Sequence, residues 1–154
     1  MSYQMTHLEI AYRLLDKYKW IKVRPDFLLG AIAPDAVHFH EEYHVEWKEQ
    51  SHLWDCGPRW GITLDSDKWK RNVLDFWDTH KTDPNRDYIA GYCLHILTDC
   101  VLQKDVETQK RHMLSKQYKN MGNCDISGHR YCTEAVTISF IDECVEELKD
   151  ILGV

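Results

Sequence analysis

The segment that constrains this chain most is Gly91-Tyr92-Cys93-Leu94-His95-Ile96-Leu97-Thr98-Asp99, set inside its most apolar run. Residues from about Arg86 to Leu102 fit one long helix that has to be buried. His95 and Asp99 are four apart, so they project from one face, one turn above the other. Gly91 stands one turn earlier on the same stripe. A glycine inside a helix costs about 1 kcal/mol relative to alanine, so in this place it suggests room kept for a bound group. An imidazole and a carboxylate at this spacing suit zinc or another borderline divalent cation. Two ligands do not make a site, and the remaining ones must come from other segments.

Those segments read as helices. Thr6-His7-Leu8-Glu9 has the form of a capping box, opening a helix to about Tyr18 whose apolar stripe is Leu8, Ala11, Tyr12, Leu14, Leu15 and Tyr18. Arg24-Pro25-Asp26 starts a short apolar helix, Phe27 to Ala33, which Pro34 stops, leaving Asp35 directly after the break. From His38 to Gln50 the chain is polar and aromatic, with Phe39, Val45 and Trp47 as candidates for burial, and it leads into the apolar patch Ser51-His52-Leu53-Trp54. Asp65 or Ser66 caps a helix to about His80, on which Trp69, Val73, Phe76 and Trp77 repeat at helical spacing. Residues 103 to 120 read as charged, exposed and partly helical, and Gly122 to Gly128 as loop. Glu134 to Leu152 reads as a last helix with Phe140 or Ile141, Cys144, Val145, Leu148 and Leu152 on one face. No segment alternates with period two for long. The expectation is an all-α chain: a single domain, residues 1 to 154, forming a bundle of about five to seven helices with a metal site in its core.

A chain of 154 residues can bury a proper core without disulfides. Its six cysteines form no CxxC pair, several fall at apolar helix positions, and no export signal or membrane-spanning run is visible, so reduced thiols and a cytoplasmic location are expected. A net charge of -6 and a pI near 5.8 make nucleic acid or an anionic membrane the less favoured partner. They leave a phosphoester substrate open, because a bound dication inverts the local field.

Four segments thus present a metal ligand beside a structural signal. They carry Met5-Thr6-His7 with Ile10-Ala11, then Leu29-Gly30-Ala31-Ile32-Ala33-Pro34-Asp35, then Lys48 to His52, then Tyr88 to Asp99 with its Gly-Tyr-x-x-His-x-x-x-Asp core, in that order over about two thirds of the chain. In this ordered set the sequence resembles the zinc-dependent phospholipase C family, whose superfamily includes single-strand-specific zinc nucleases. The resemblance implies that His7, Asp35, His52, His95 and Asp99 bind zinc or another divalent metal, and that Asp35 also orients or deprotonates the attacking water. It further implies that metal-bound water is the nucleophile toward a phosphoester, lipid or small molecule. Three departures stand beside it. Six residues precede His7, where the family's processed amino terminus helps to bind one of three zincs. Asp105 occupies the place of a histidine six residues beyond the helix carboxylate. The later His-x-x-x-Glu pair is replaced by Asp125, His129 and Glu134 at other spacings. One or two metals rather than three are therefore expected.

Each candidate also has a structural reading. His95 and Asp99 could be a hydrogen-bonded buried pair, His7 a first-turn surface residue, His52 a core histidine satisfied by a backbone carbonyl, and Asp35 a helix cap. His40-Glu41-Glu42-Tyr43-His44 matches HExxH literally, but its flanks His38, Glu46, Lys48, Glu49 and Gln50 are polar, which reads as a solvated face rather than a buried zinc helix. Trp54, Trp60, Trp69 and Trp77 read as core and loop anchors, with Trp54 or Trp60 able to wall a substrate pocket. The functional alternative is a non-catalytic metal-binding or interaction domain on the same helical scaffold.

Overall fold

The computed structural model describes residues 4 to 102 and 134 to 153. Among these the chain forms seven helices and no strand: α1 (Gln4–Leu14), α2 (Arg24–Gly30), a 3-10 helix (Ala33–Phe39), α3 (Val45–Ser51), α4 (Ser66–His80), α5 (Arg86–Leu102) and α6 (Glu134–Leu148). The all-α expectation is met. The readings of residues 103 to 128, and those of Asp105, Asp125, His129 and the Glu134 side chain, lie outside the described residues.

α5 is the axis. From Ile89 to Val101 every residue except Tyr92 is buried, as a helix apolar on all faces requires. α2 and α4 pack against it most extensively, and α1, α6 and the 3-10 helix complete its surround. The crossing with α2 corrects the reading of Gly91. A Cβ on Gly91 would lie 1.9 Å from the Phe27 carbonyl oxygen, and one on Gly30 would lie 2.0 Å from the Tyr88 carbonyl oxygen. The two glycines let two helix backbones touch, so the room at Gly91 is filled by α2 and not by a bound group.

Other boundaries shift for physical reasons. α1 begins at Gln4, so Thr6 lies inside the helix and is buried rather than capping it. It ends at Leu14, and the turn that follows swings Tyr18 onto α6, where its hydroxyl donates to the Leu148 carbonyl. α2 stops at Gly30, earlier than Ala33. Pro34 then opens the 3-10 helix instead of leaving a break, since its fixed φ and missing N–H suit a first turn. Asp65 does cap α4, accepting from the Lys68 amide at 2.7 Å. Tyr12 of the expected α1 stripe and the burial candidates Phe39 and Val45 are instead 59%, 76% and 41% exposed. α6 ends at Leu148, four residues short of Leu152, yet Ile141, Cys144, Leu148 and Leu152 all reach the core. Trp69, Val73 and Trp77 bury the inner face of α4. Cys56, Cys93, Cys100 and Cys144 are free and buried. No helix among the described residues is long and apolar enough to cross a membrane.

Candidate metal centre

His7 from α1, Asp35 from the first turn of the 3-10 helix, His52 at the C-terminal cap of α3, and His95 and Asp99 from α5 meet in the core. All are buried, Asp35 the least so at 5% exposure. The ligand atoms of His7, Asp35 and His95 lie within 4.8 Å of one another, and so do those of His52, His95 and Asp99.

Outer contacts decide how each ring presents itself. Where α2 ends against α5, the Ala31 carbonyl lies 2.8 Å from His95 Nδ1. A carbonyl only accepts, so Nδ1 carries a proton, and in the neutral ring the lone pair is then on Nε2. His52 is oriented by Ser51, whose hydroxyl donates to the Lys48 carbonyl at 3.2 Å and lies 2.9 Å from His52 Nδ1. With its one hydrogen so used, Ser51 Oγ accepts from Nδ1–H, and Nε2 of His52 is again the lone-pair nitrogen. The His52 carbonyl is itself anchored by Trp69 Nε1 at 2.7 Å, and the Tyr92 hydroxyl donates to the Ser51 carbonyl, tying this cap to α4 and α5.

Both lone-pair nitrogens face carboxylate oxygen. Asp35 Oδ1 is 3.5 Å from His52 Nε2 and 3.6 Å from His95 Nε2, and Asp99 Oδ2 is 3.6 Å from His52 Nε2. His7 Nε2 is 3.7 Å from Asp99 Oδ1, with its ring stacked on His95 at 3.7 Å between centroids. These separations are too long for hydrogen bonds. Those made by His52 and His95 match the spacing of neighbouring ligand atoms around a tetrahedral zinc, about 3.3–3.6 Å for bonds of about 2.0–2.2 Å. His52 Nε2, His95 Nε2 and both oxygens of Asp99 have no hydrogen-bond partner among the described residues. Buried polar atoms left so are costly, and four of them converging is what a cation between them would satisfy. The donor set of neutral imidazole and ionised carboxylate therefore fits a borderline divalent metal.

The electrostatics point the same way. Burial pushes His52 down to about 4 and His7 well below its ordinary value, His95 adding to the latter, so both rings are neutral near pH 7. Burial would raise the carboxyls of Asp35 and Asp99. It is outweighed by the facing imidazoles of His52 and His95 and by Lys48 at Asp35, and chiefly by His7 at Asp99, so both acids sit well below the carboxylate range. A positive charge between rings and carboxylates is favoured, a proton in acid or a metal ion near neutrality.

Lys48 is the residue that pattern reading missed. It is fully buried, its ammonium contacts Asp35 Oδ1, and it lies 5.4 Å from the centroid of the Trp60 ring. Its legible signal is the four-residue step to His52, which puts it one turn before the residue that caps α3. Half-buried Trp60, rather than buried Trp54, borders the centre, edge-on to His52 at 4.9 Å. The HExxH stretch is not helical. It runs from the C-terminal cap of the 3-10 helix to the N-terminal cap of α3, with His40 and His44 each edge-on to Trp47 at 4.8 Å. No metal-capable group among the described residues includes either histidine. Comparison of the chain with protein-family models, with curated proteins and with solved structures found no match.

Proposed function

We propose that the chain is a metal-dependent hydrolase of phosphoesters, zinc being the preferred ion, with His7, Asp35, His52, His95 and Asp99 as its ligands, drawn from the groups His7–Asp35–His95 and His52–His95–Asp99. What carries the reading is the convergence of lone-pair nitrogens and ionised oxygens at metal-ligand spacing, with their outer contacts already in place. A zinc ion bound there supplies two things: it lowers the pKa of a coordinated water toward about 7, and it polarises a phosphoryl oxygen.

The chain's own residues supply the rest. Ala31 and Ser51 fix the two imidazoles in their ligand tautomers. Asp35, the most exposed donor, is placed to accept a hydrogen bond from the attacking water and so orient it. Two carboxylates and one ammonium sum to one negative charge, so a dication turns the centre to one positive charge. That surplus favours an anionic substrate such as a phosphoester over a neutral one.

A second reading has its own observation. Donors no more than 5% exposed suit a closed structural metal site, hence a non-catalytic metal-binding domain. Elemental analysis of the purified protein, followed by hydrolysis of a chromogenic phosphodiester with and without chelator, separates the two. The enzyme reading expects one or two zincs per chain and chelator-sensitive turnover, both abolished in His95→Ala. Bound zinc without turnover on a panel of phosphomonoesters and diesters selects the structural reading, and zinc retained at full stoichiometry in His95→Ala overturns the ligand assignment.

A further inference from the structure

The ammonium of Lys48 and the imidazoles of His52 and His95 converge on the same atom, Asp35 Oδ1. Any metal ion held by those imidazoles and Asp35 would share that oxygen with a fixed positive charge. We infer that Lys48 is a positioning residue of the metal centre that acts through Asp35: a built-in counter-cation that neutralises the carboxylate when no metal is bound and limits how tightly a divalent cation is held. The inference rests on the metal-centre reading above.

Three observations carry it. Lys48 has no exposure to solvent, so its charge is compensated within the protein, and Asp35 is a carboxylate it contacts. Its ammonium lies over the Trp60 ring, whose face attracts a cation and gives the ammonium a second stabilising partner when Asp35 Oδ1 also serves a metal. Its backbone belongs to the same turn as the ligand: the Lys48 carbonyl accepts from the His52 amide at 3.1 Å and from the Ser51 hydroxyl that sets the His52 tautomer. Lysine and ligand therefore move as one unit. The consequence is a centre that stays folded without metal and exchanges it, whereas a pair of buried carboxylates with no internal cation would bind tightly and collapse when stripped.

The test compares wild type with Lys48→Met and Lys48→Gln, the first removing charge and hydrogen bonding, the second charge alone. Zinc dissociation constants are read by competition with a chromogenic chelator, and melting temperatures are taken on metal-stripped and zinc-loaded protein. Both variants should bind zinc at least about 10-fold more tightly than wild type, because a repulsive neighbour has gone. Metal-stripped variants should melt roughly 10 °C lower, and saturating zinc should recover most of that loss. Zinc affinity unchanged or weakened in both variants overturns the inference, as does a wild-type affinity in Lys48→Gln or a melting loss that zinc fails to recover. Wild type that binds no zinc would instead overturn the metal-centre reading itself, a result visible before either variant is measured.

Discussion

Replacing Gly91 with alanine sets two effects of known sign against each other. In an open helix the change would stabilise by about 1 kcal/mol, alanine being the better helix former. Here the new methyl would sit 1.9 Å from the Phe27 carbonyl oxygen and 2.9 Å from the Ala31 amide nitrogen, both backbone atoms that cannot rotate away. Ordinary contact begins at 3.4 Å, so α2 must withdraw from α5 by the difference of 3.4 and 1.9, or 1.5 Å. Such overpacking costs about 1–3 kcal/mol. The same displacement lengthens the 2.8 Å bond from His95 Nδ1 to the Ala31 carbonyl beyond hydrogen-bonding range, at about 1 kcal/mol more. The net expectation is a loss of about 1–3 kcal/mol, with a lower urea midpoint at unchanged slope. The orienting contact of His95 is lost too, so zinc affinity should drop about 10–100-fold. Equal or greater stability in Gly91→Ala would refute the close crossing of the two helices. A destabilised variant with wild-type zinc affinity would refute the claim that the crossing orients His95.

Two further outcomes are expected. The folded-state pKa of His52, about 4, lies below the ordinary value of about 6.5, so the unfolded chain binds more protons between these pH values and stability rises with pH across that window. Taking metal-stripped protein from pH 7 to pH 5 should therefore cost about 2 kcal/mol in urea unfolding, and a flat profile would contradict a buried neutral His52. Burial raises the thiol of Cys93 to about 12 and that of Cys100 well above its ordinary value. Peptide mapping after maleimide treatment of native protein at pH 7 should find both unmodified, and labelling of either would show that the core opens readily.

The candidate site is legible in outline because the residues proposed to ligate a metal sit at positions with local signatures. His95 and Asp99 are a helical step apart, and Asp35 follows a proline that organises a first turn whichever helix type results. Lys48 escaped because a lysine among glutamates and histidines has the local pattern of a solvated face. Only the packing of α3 beside the 3-10 helix, with Trp60 over it, removes it from water. Gly91 signals a close approach through its cost in a helix, but a glycine does not declare what approaches, and here it is the backbone of α2.

What the sequence determined by itself is what repeats along the chain. Spacings of three and four make the elements helical, and the uniformly apolar run of Ile89 to Val101 makes α5 the buried axis. The tertiary structure decided what depends on meetings between distant residues. The Ala31 carbonyl and the Ser51 hydroxyl choose the ring tautomers, a lysine becomes part of the core, and five donors from four segments gather into two groups that share His95, each with its ligand atoms within 4.8 Å of one another. Periodicity is a property of neighbours along one helix and can be read from their order. Which lone pair faces which oxygen depends on how separate helices cross, and here that crossing is set by two glycines 61 positions apart, Gly30 and Gly91.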